Sequence, residues 1–245
     1  MWRNLLQPLL QSVLPDYCAI CKDQSDNLIC HQCQVDFFPK FSQRCHSCAL
    51  PLPVISIRNP LCGACLKKRP HFDRTIVACN YVPPIDHLVL ALKFAHRLGL
   101  ARAFATELRN QISSLPQNTP QDTLPDLICP IPLGRQRLIA RGFNQSLEIA
   151  KPLGADLGVP VHYDLLLRTR DTLQQSSLHP DARHKNVRNA FTIPPAMSYL
   201  IHNRHIAIVD DVMTTGTTLN EAAKVLKRFG AKKVSNFVFA RTIWV

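Results

Sequence analysis

The chain has 245 residues, of which 29 are lysine or arginine and 17 are aspartate or glutamate, giving a formal net charge of +12 at pH 7. This length suits one or two domains, and a composition with 46% hydrophobic and 19% charged residues excludes wholesale disorder. No apolar run approaches the roughly 20 residues of a membrane-spanning helix, so we expect no membrane span, and the positive charge favours an anionic partner.

The first 14 residues carry apolar side chains at helical spacing, and Pro15 ends the pattern. Arg3 is the one basic residue of this segment, which favours a helix that packs on the protein over one that lies on a membrane surface. Glutamines and a proline interrupt the leucines, so the segment does not resemble a secretory signal. We therefore expect a cytoplasmic protein.

Eight of the ten cysteines form Cys-x-x-Cys pairs. The pairs are Cys18/Cys21, Cys30/Cys33, Cys45/Cys48 and Cys62/Cys65. Two thiolates at this spacing can face one cation, and two pairs complete a tetrahedral site for Zn²⁺. We predict two structural zinc ions, because an all-cysteine site leaves no position open for water. A disulfide framework would instead require an oxidising compartment.

The order in which the pairs combine is open. Sequential pairing, first with second and third with fourth, is favoured, but a crossed arrangement would also satisfy both metals. Residues 1–74 are predicted to form an N-terminal helix and a double zinc-ribbon domain, which is too small to fold without metal. Cys79 and Cys129 lie in apolar surroundings and are predicted to be buried rather than metal-bound.

From residue 75 to 245 the chain alternates strand and helix patterns, which predicts an open α/β sheet. The predicted strands are 75–81, 127–131, 191–193, 205–209 and 234–240, with a strand-like stretch at 159–167. The predicted helices are 85–112, interrupted near Gly99, then 143–157 and 217–229. Residues 113–125 are predicted to be a loop, and residues 168–188 are polar and basic without a core pattern.

The most informative segment follows the apolar run 205–209. Asp210 and Asp211 end this strand, and a hydroxyl-rich loop leads into the next helix. The loop, named here the phosphate loop, comprises Thr214, Thr215, Gly216, Thr217 and Thr218. Backbone amides at such a strand–loop–helix junction favour an anion. The two carboxylates would repel phosphate, so they suit the hydroxyl groups of a sugar or a divalent metal held by that sugar.

This pattern resembles the ribose-phosphate signature of type I phosphoribosyltransferases. The resemblance implies that Asp210 and Asp211 hold the ribose hydroxyls of phosphoribosyl pyrophosphate and that the phosphate loop wraps its 5′-phosphate. It also implies an α/β fold, a type I phosphoribosyltransferase-like open parallel sheet over residues 75–245, behind the small N-terminal zinc-ribbon domain with four cysteines at each metal.

Further stretches make the whole chain from about Tyr17 similar to the ComF/GntX family. They are Leu92-Lys93-Phe94, Pro130-Ile131-Pro132-Leu133, Arg141-Gly142-Phe143-Asn144-Gln145-Ser146, and parts of the segment from Gln175 to Phe191. This family resemblance implies an association with natural competence and the use of external DNA. Neither composition nor spacing shows such a role.

The resemblance also implies where pyrophosphate binds. In this fold the loop after the first sheet strand binds pyrophosphate, and here that loop contains Gly134, Arg135, Arg137, Arg141 and Gly142. Arginine forks and exposed amides suit a pyrophosphate. Residues 168–188 are expected to form a flexible hood, with Arg183 among its candidates for pyrophosphate contact.

The leading hypothesis is a protein that binds phosphoribosyl pyrophosphate with Mg²⁺ and transfers the phosphoribosyl group to an acceptor that the sequence does not identify. Asp210 and Asp211 are its candidate catalytic residues. The alternative is a protein that handles single-stranded DNA, or contacts the DNA-uptake machinery, and keeps the fold without transferase chemistry. A third hypothesis is a sensor of phosphoribosyl pyrophosphate. The basic residues are spread along the chain, so net charge does not decide among them.

Overall fold

The computed structural model describes residues 17–38, 43–53, 60–115, 124–169 and 189–243. The helix predicted at residues 1–14 lies outside the described residues, as does most of the expected hood, including Arg183. No helix in these described ranges is long and apolar enough to cross a membrane.

Four parallel strands form the central sheet and confirm the predicted open α/β architecture. In chain order the strands are β1 (Arg74–Asn80), β2 (Leu127–Pro130), β3 (Leu167–Arg168), β4 (Phe191–Thr192), β5 (His205–Met213) and β6 (Lys233–Arg241). The order across the sheet is β1-β6-β5-β2, and β3 and β4 form a separate antiparallel pair. The first five residues of β5 are all buried, as expected for a strand covered on both faces.

The α-helices in the described part of the chain are α1 (His31–Phe37), α2 (Gly63–Lys67), α3 (Ile85–Phe94), α4 (Gly99–Ser113), α5 (Arg135–Arg141), α6 (Gln145–Leu157) and α7 (Thr217–Arg228). A short 3-10 helix spans Pro195–Leu200. The predicted interruption near Gly99 is confirmed, since α3 and α4 are separate. The Asn144 side chain accepts a hydrogen bond from Ser146 N and so caps α6. The helix therefore begins at Gln145, within the stretch 141–146 that carries the family resemblance.

Two expectations were wrong. The strand predicted at 159–167 forms only a single bridge between Val161 and Ile128, besides the two residues of β3. Pro160 offers a carbonyl to Ile128 N but has no N–H to continue a ladder. The expected loop after β2 is largely α5, a seven-residue helix with no buried residue, which ends at Gly142 in the left-handed region with φ of +77°.

Each face of the sheet shares a core with one cysteine-rich unit. The first ribbon (residues 17–38) packs with α3, α4 and α6, and the second ribbon (residues 43–53 and 60–68) packs with α7 on the other face. Phe239 of β6 stacks on Phe104 of α4 with ring centroids 3.5 Å apart. The ring centroid of Phe38 in the first ribbon lies 5.9 Å from that of Phe239. The division at residue 74 stays a prediction, and both cores extend across it.

The eight paired cysteines gather into two groups, which confirms sequential pairing. Cys18, Cys21, Cys30 and Cys33 form one group, and Cys45, Cys48, Cys62 and Cys65 form the other; within each, the sulfur atoms lie within 4.8 Å of one another. The Cys21–Cys30 and Cys48–Cys62 sulfur separations are 3.7 and 3.6 Å. A tetrahedron with Zn–S bonds of about 2.3 Å has edges of about 3.8 Å, whereas a disulfide bond is about 2.0 Å long. The donor set therefore fits structural zinc at both sites.

Two arginines, the half-buried Arg44 and the buried Arg241, join the second ribbon to the carboxyl ends of β1 and β6. Arg44 donates to Ala49 O at 3.1 Å and to Asn80 Oδ1 at 2.9 Å. Arg241 donates through Nε to Cys48 O at 3.0 Å. The second ribbon is thus fastened to the edge of the sheet at which the strands end.

The zinc assignment predicts the metal content of purified protein. We expect about two Zn²⁺ per chain, falling to about one in Cys21→Ser, because each site needs all four thiolates for tetrahedral closure. The control is Cys129→Ala, which removes a buried cysteine of β2 outside both groups and should leave the metal content unchanged. Elemental analysis makes the measurement, and metal-free native protein with disulfides would contradict the assignment.

Candidate functional site

A cavity of about 510 Å³ opens at the carboxyl ends of β2 and β5. Asp210, Asp211, Thr214 and Thr218 line it from the β5 side, and α3, α5 and the start of α6 line the opposite side. Ligand sites of open α/β sheets lie at this end of the strands. The topology therefore brings the acid pair and the phosphate loop to one cavity.

The two adjacent carboxylates have different partners. Asp210 Oδ1 accepts a hydrogen bond from Ser146 Oγ at 3.0 Å and another from Asp211 N at 2.9 Å. Asp211 forms an ion pair with Lys93 and accepts a bond from Gln145 Nε2 at 3.4 Å. The end of α3 and the first turn of α6 therefore hold the acid pair from two sides.

These surroundings shift the pKa values of the two carboxyl groups in opposite directions. Part of Asp210 reaches solvent through the cavity, but protein encloses its carboxyl; this burial, with the neighbouring charge of Asp211, raises its pKa to about 7. Burial would also raise the pKa of Asp211, but the Lys93 ammonium and the hydrogen bonds from Lys93 and Gln145 outweigh it, so its pKa lies below the ordinary value. One acid is held ionised beside another that titrates near neutral pH.

The phosphate loop turns sharply into α7. Gly216 has φ of +79° and precedes the first residue of the helix, and a Cβ at this position would collide with Met213 Cε. The Thr215 and Thr217 hydroxyls lie 2.8 Å apart, and Thr217 N donates to Thr215 Oγ1 at 3.4 Å. The loop is therefore compact, and the N-terminus of a 12-residue helix lies directly behind it.

The candidate pyrophosphate residues are only partly brought together. Arg141 and Arg137 line the cavity, whereas Arg135 lies on the exposed first turn of α5 and is not part of the lining. Arg141 donates to Gln145 Oε1 and places its guanidinium 5.3 Å from the ring centroid of Phe94. Gly142 acts through its backbone as the end of α5. Arg183 lies outside the described residues.

Sequence reasoning gave no role to several residues of this site. Lys93, Gln145 and Ser146 contact the acid pair, and Arg168 lines the cavity while donating to Pro132 O at 3.5 Å. The first three lie in the stretches that carry the family resemblance, which was the available signal. Their contacts with acids 64 to 118 positions away could not be read from spacing along the chain.

Comparison with family models finds two matches. Residues 144–242 match the "Phosphoribosyl transferase domain", which contains α6, the acid pair and the phosphate loop. Residues 9–66 match the "Double zinc ribbon domain", which contains all the paired cysteines.

Relatives cover nearly the whole chain. The "DNA utilization protein YhgH" of Escherichia coli (strain K12) is 33% identical over 92% of this chain and 90% of its own length. The "Competence protein F" of Haemophilus influenzae is 30% identical over 91% of this chain and 96% of its own length.

Among solved structures, a glutamine phosphoribosylpyrophosphate amidotransferase from B. subtilis matches with a TM-score of 0.37 and 17% identity, over 58% of this chain and 26% of that chain. So low a score carries no argument about function. The near full-length relatives, the two matched domains and the paired sulfur clusters agree: this chain belongs to the ComF/GntX family of competence-associated, phosphoribosyltransferase-like proteins with an N-terminal double zinc ribbon.

Proposed function

We propose that this protein binds phosphoribosyl pyrophosphate with Mg²⁺ in the cavity at the carboxyl end of the sheet and transfers the phosphoribosyl group to an acceptor. The observation that carries the proposal is the meeting of three groups in one cavity. They are the acid pair, the phosphate loop at the start of α7, and the cationic side chains of Lys93, Arg137 and Arg141.

The chemistry of each group matches one part of the substrate. Loop amides, threonine hydroxyls and the positive end of the α7 dipole suit the 5′-phosphate. The ionised carboxylate of Asp211 accepts hydrogen bonds from ribose hydroxyls. Arg137 and Arg141 line the same cavity as Thr214 and Thr218 of the phosphate loop, and planar guanidinium groups suit a pyrophosphate.

Magnesium fits this donor set without a protein cage. Bound with the substrate, Mg²⁺ would supply positive charge to offset that of the pyrophosphate, and it would need few ligands from the protein. The chain's contribution is the position of the two carboxylates, which hold the sugar that carries the pyrophosphate. Both acids lie near the carboxyl end of β5 and line the same cavity.

In the proposed reaction, the bond between ribose C1 and the pyrophosphate oxygen breaks, and the acceptor's nucleophilic atom forms a new bond to C1. Pyrophosphate leaves with the bonding electron pair, and Arg137 and Arg141 stabilise the charge that it gains. The acceptor loses a proton, for which the carboxylates Asp210 and Asp211 are the candidate bases. Atoms and charges balance with phosphoribosyl pyrophosphate and acceptor as the reactants.

Replacing the acids should weaken substrate binding without unfolding the protein. Asp211→Asn removes the carboxylate charge that holds the ribose, and we expect a loss of about 10- to 100-fold in affinity for phosphoribosyl pyrophosphate, with a similar or smaller loss in Asp210→Asn. Isothermal titration in the presence of Mg²⁺ measures it, with the exposed Asp26→Asn as a matched control. If the wild type does not bind and neither substitution matters, the proposed function is wrong.

The raised pKa of Asp210 predicts how its replacement changes stability with pH. Its folded pKa is about 7 against an ordinary 3.8, so the folded state holds the proton more tightly and loses stability relative to the unfolded state as pH rises from about 4 to 7. Asn cannot ionise and keeps an acceptor for Ser146. We therefore expect the melting temperature of Asp210→Asn, relative to wild type, to increase from pH 5 to pH 8.

Thermal denaturation at pH 5, 6, 7 and 8 tests this, and the shift should be roughly 2–4 °C for each kcal/mol of stability gained. The exposed Asp26→Asn is again the control. If the difference in melting temperature between Asp210→Asn and the wild type does not vary with pH, the wild-type Asp210 carboxyl does not have a raised pKa in the folded protein.

One observation favours a second function, the handling of single-stranded DNA. Helix α5 carries three arginines, buries none of its residues and contributes to the cavity lining, and two relatives are named "DNA utilization protein YhgH" and "Competence protein F". An exposed basic helix suits a phosphate backbone. On this hypothesis the cavity keeps its fold while α5 contacts the nucleic acid.

Salt dependence distinguishes this function from the first. If α5 contacts DNA phosphates, affinity for a labelled oligonucleotide should fall with salt, and Arg135→Gln should reduce the log–log slope by about one unit while leaving phosphoribosyl pyrophosphate binding unchanged. Fluorescence anisotropy measures the slope, with Arg228→Gln as a control on α7. A slope that Arg135→Gln does not alter excludes α5 as the contact surface.

A further inference from the structure

Arg241 lies between the second ribbon and the strand that leads into the phosphate loop. It ends β6, and only 3% of the residue is exposed. Its Nε donates to Cys48 O at 3.0 Å, and its Nη1 donates to Met213 O at 3.3 Å. One buried side chain therefore connects the carbonyl of a zinc-site cysteine to the carbonyl of the last residue before the phosphate loop.

Met213 fixes the loop through both its backbone and its side chain. Its carbonyl also accepts a hydrogen bond from Thr242 N at 3.1 Å, and Thr242 O accepts from Arg241 Nη1 at 2.6 Å. The Cε atom of Met213 occupies the space that a side chain at Gly216 would need. A shift of Met213 would therefore move the start of the loop and the packing under its turn together.

The segment that follows the second ribbon contacts the same region. His71 N donates to Asn220 Oδ1 at 2.7 Å in the first turn of α7, and Asp73 pairs with Lys227 at 2.7 Å near its end. The ring of Phe72 lies beneath Gly216 and belongs to the same core as Met213 and the second set of cysteines. The back of the phosphate loop is thus built on the second ribbon and its connection.

The metal matters here because Cys48 has two roles. Its sulfur belongs to the second zinc site, and its carbonyl accepts from Arg241. Ligation fixes this residue, and four thiolates around one Zn²⁺ carry a net negative charge close to a buried guanidinium that needs compensation. Within the described residues no such bond joins the first site to the loop, and Cys18 and Cys33 of that site belong to the core on the opposite face of the sheet.

We propose that Arg241 is a positioning residue of the phosphate loop, and that through it the second four-cysteine site, unlike the first, holds this loop in its anion-binding conformation. The proposal rests on the phosphate-binding role proposed above for residues 214–218. It assigns the two metal sites different tasks: the first supports one face of the fold, and the second supports the ligand site.

The experiment compares four variants of the full chain by hydrogen exchange without ligand and by titration with ribose 5-phosphate. In Arg241→Met and in Cys65→Ser, the amides of residues 214–218 should exchange about tenfold faster or more, and ribose 5-phosphate affinity should fall by a similar factor. Cys21→Ser, which disrupts the first site, and Arg228→Met, an exposed arginine, should leave both quantities near the wild-type values.

Protection of residues 205–209 and the far-ultraviolet circular dichroism spectrum verify that each variant is folded. If Arg241→Met does not fold, Arg241→Lys decides, because a single ammonium cannot bridge both carbonyls as the guanidinium fork does. Equal effects of Cys21→Ser and Cys65→Ser, or an unchanged loop in a folded Arg241 variant, would overturn the proposal. Exchange is read without ligand, so failure of the wild type to bind ribose 5-phosphate refutes only the proposed function.

Discussion

The buried guanidinium of Arg241 is the contact on which the arrangement of the ligand site depends. A charge enclosed by protein needs hydrogen-bond partners, and here Nε donates to the carbonyl of Cys48 while Nη1 faces the carbonyls of Met213 and Thr242 and the Thr242 hydroxyl. Those carbonyls can converge only when the second ribbon, β5 and β6 are all in place. The cysteine-rich part of the chain is therefore inseparable from the carboxyl edge of the sheet.

The acid pair places an electrostatic cost at this edge of the sheet. Two adjacent carboxylates at the end of a buried strand repel each other, and the chain compensates only one of them fully, through Lys93. A core optimised for stability would replace Asp210 with a neutral residue. On the proposed function this cost has a use, because Asp210 and the Ser146 hydroxyl could both exchange hydrogen bonds with a sugar.

Local patterns allowed much of this fold to be predicted. The unbroken apolar run of β5, the threonine-rich turn and the repeated Cys-x-x-Cys spacing each report on residues that are close in sequence and in space. Helix α5 was missed because its apolar residues, Leu138 and Ile139, face solvent, so the chain shows no buried periodicity there. Lys93 and Arg241 were missed for the opposite reason, since their roles depend on partners that only the sheet topology brings near.

The position of the ribbons follows from two needs: the sheet has an edge strand to cover, and the ribbons are too small to bury a core of their own. Among the described strands β1 pairs only with β6, so its outer side presents backbone groups that invite further pairing. The second ribbon covers that edge, with His46 O accepting from Thr75 N at 3.2 Å and Arg44 reaching Asn80. Conversely, the ribbons have too few residues to bury a core of their own, and they gain one by packing on the sheet. Zinc closes the short loops, and the sheet supplies the hydrophobic surface, so neither part is complete without the other.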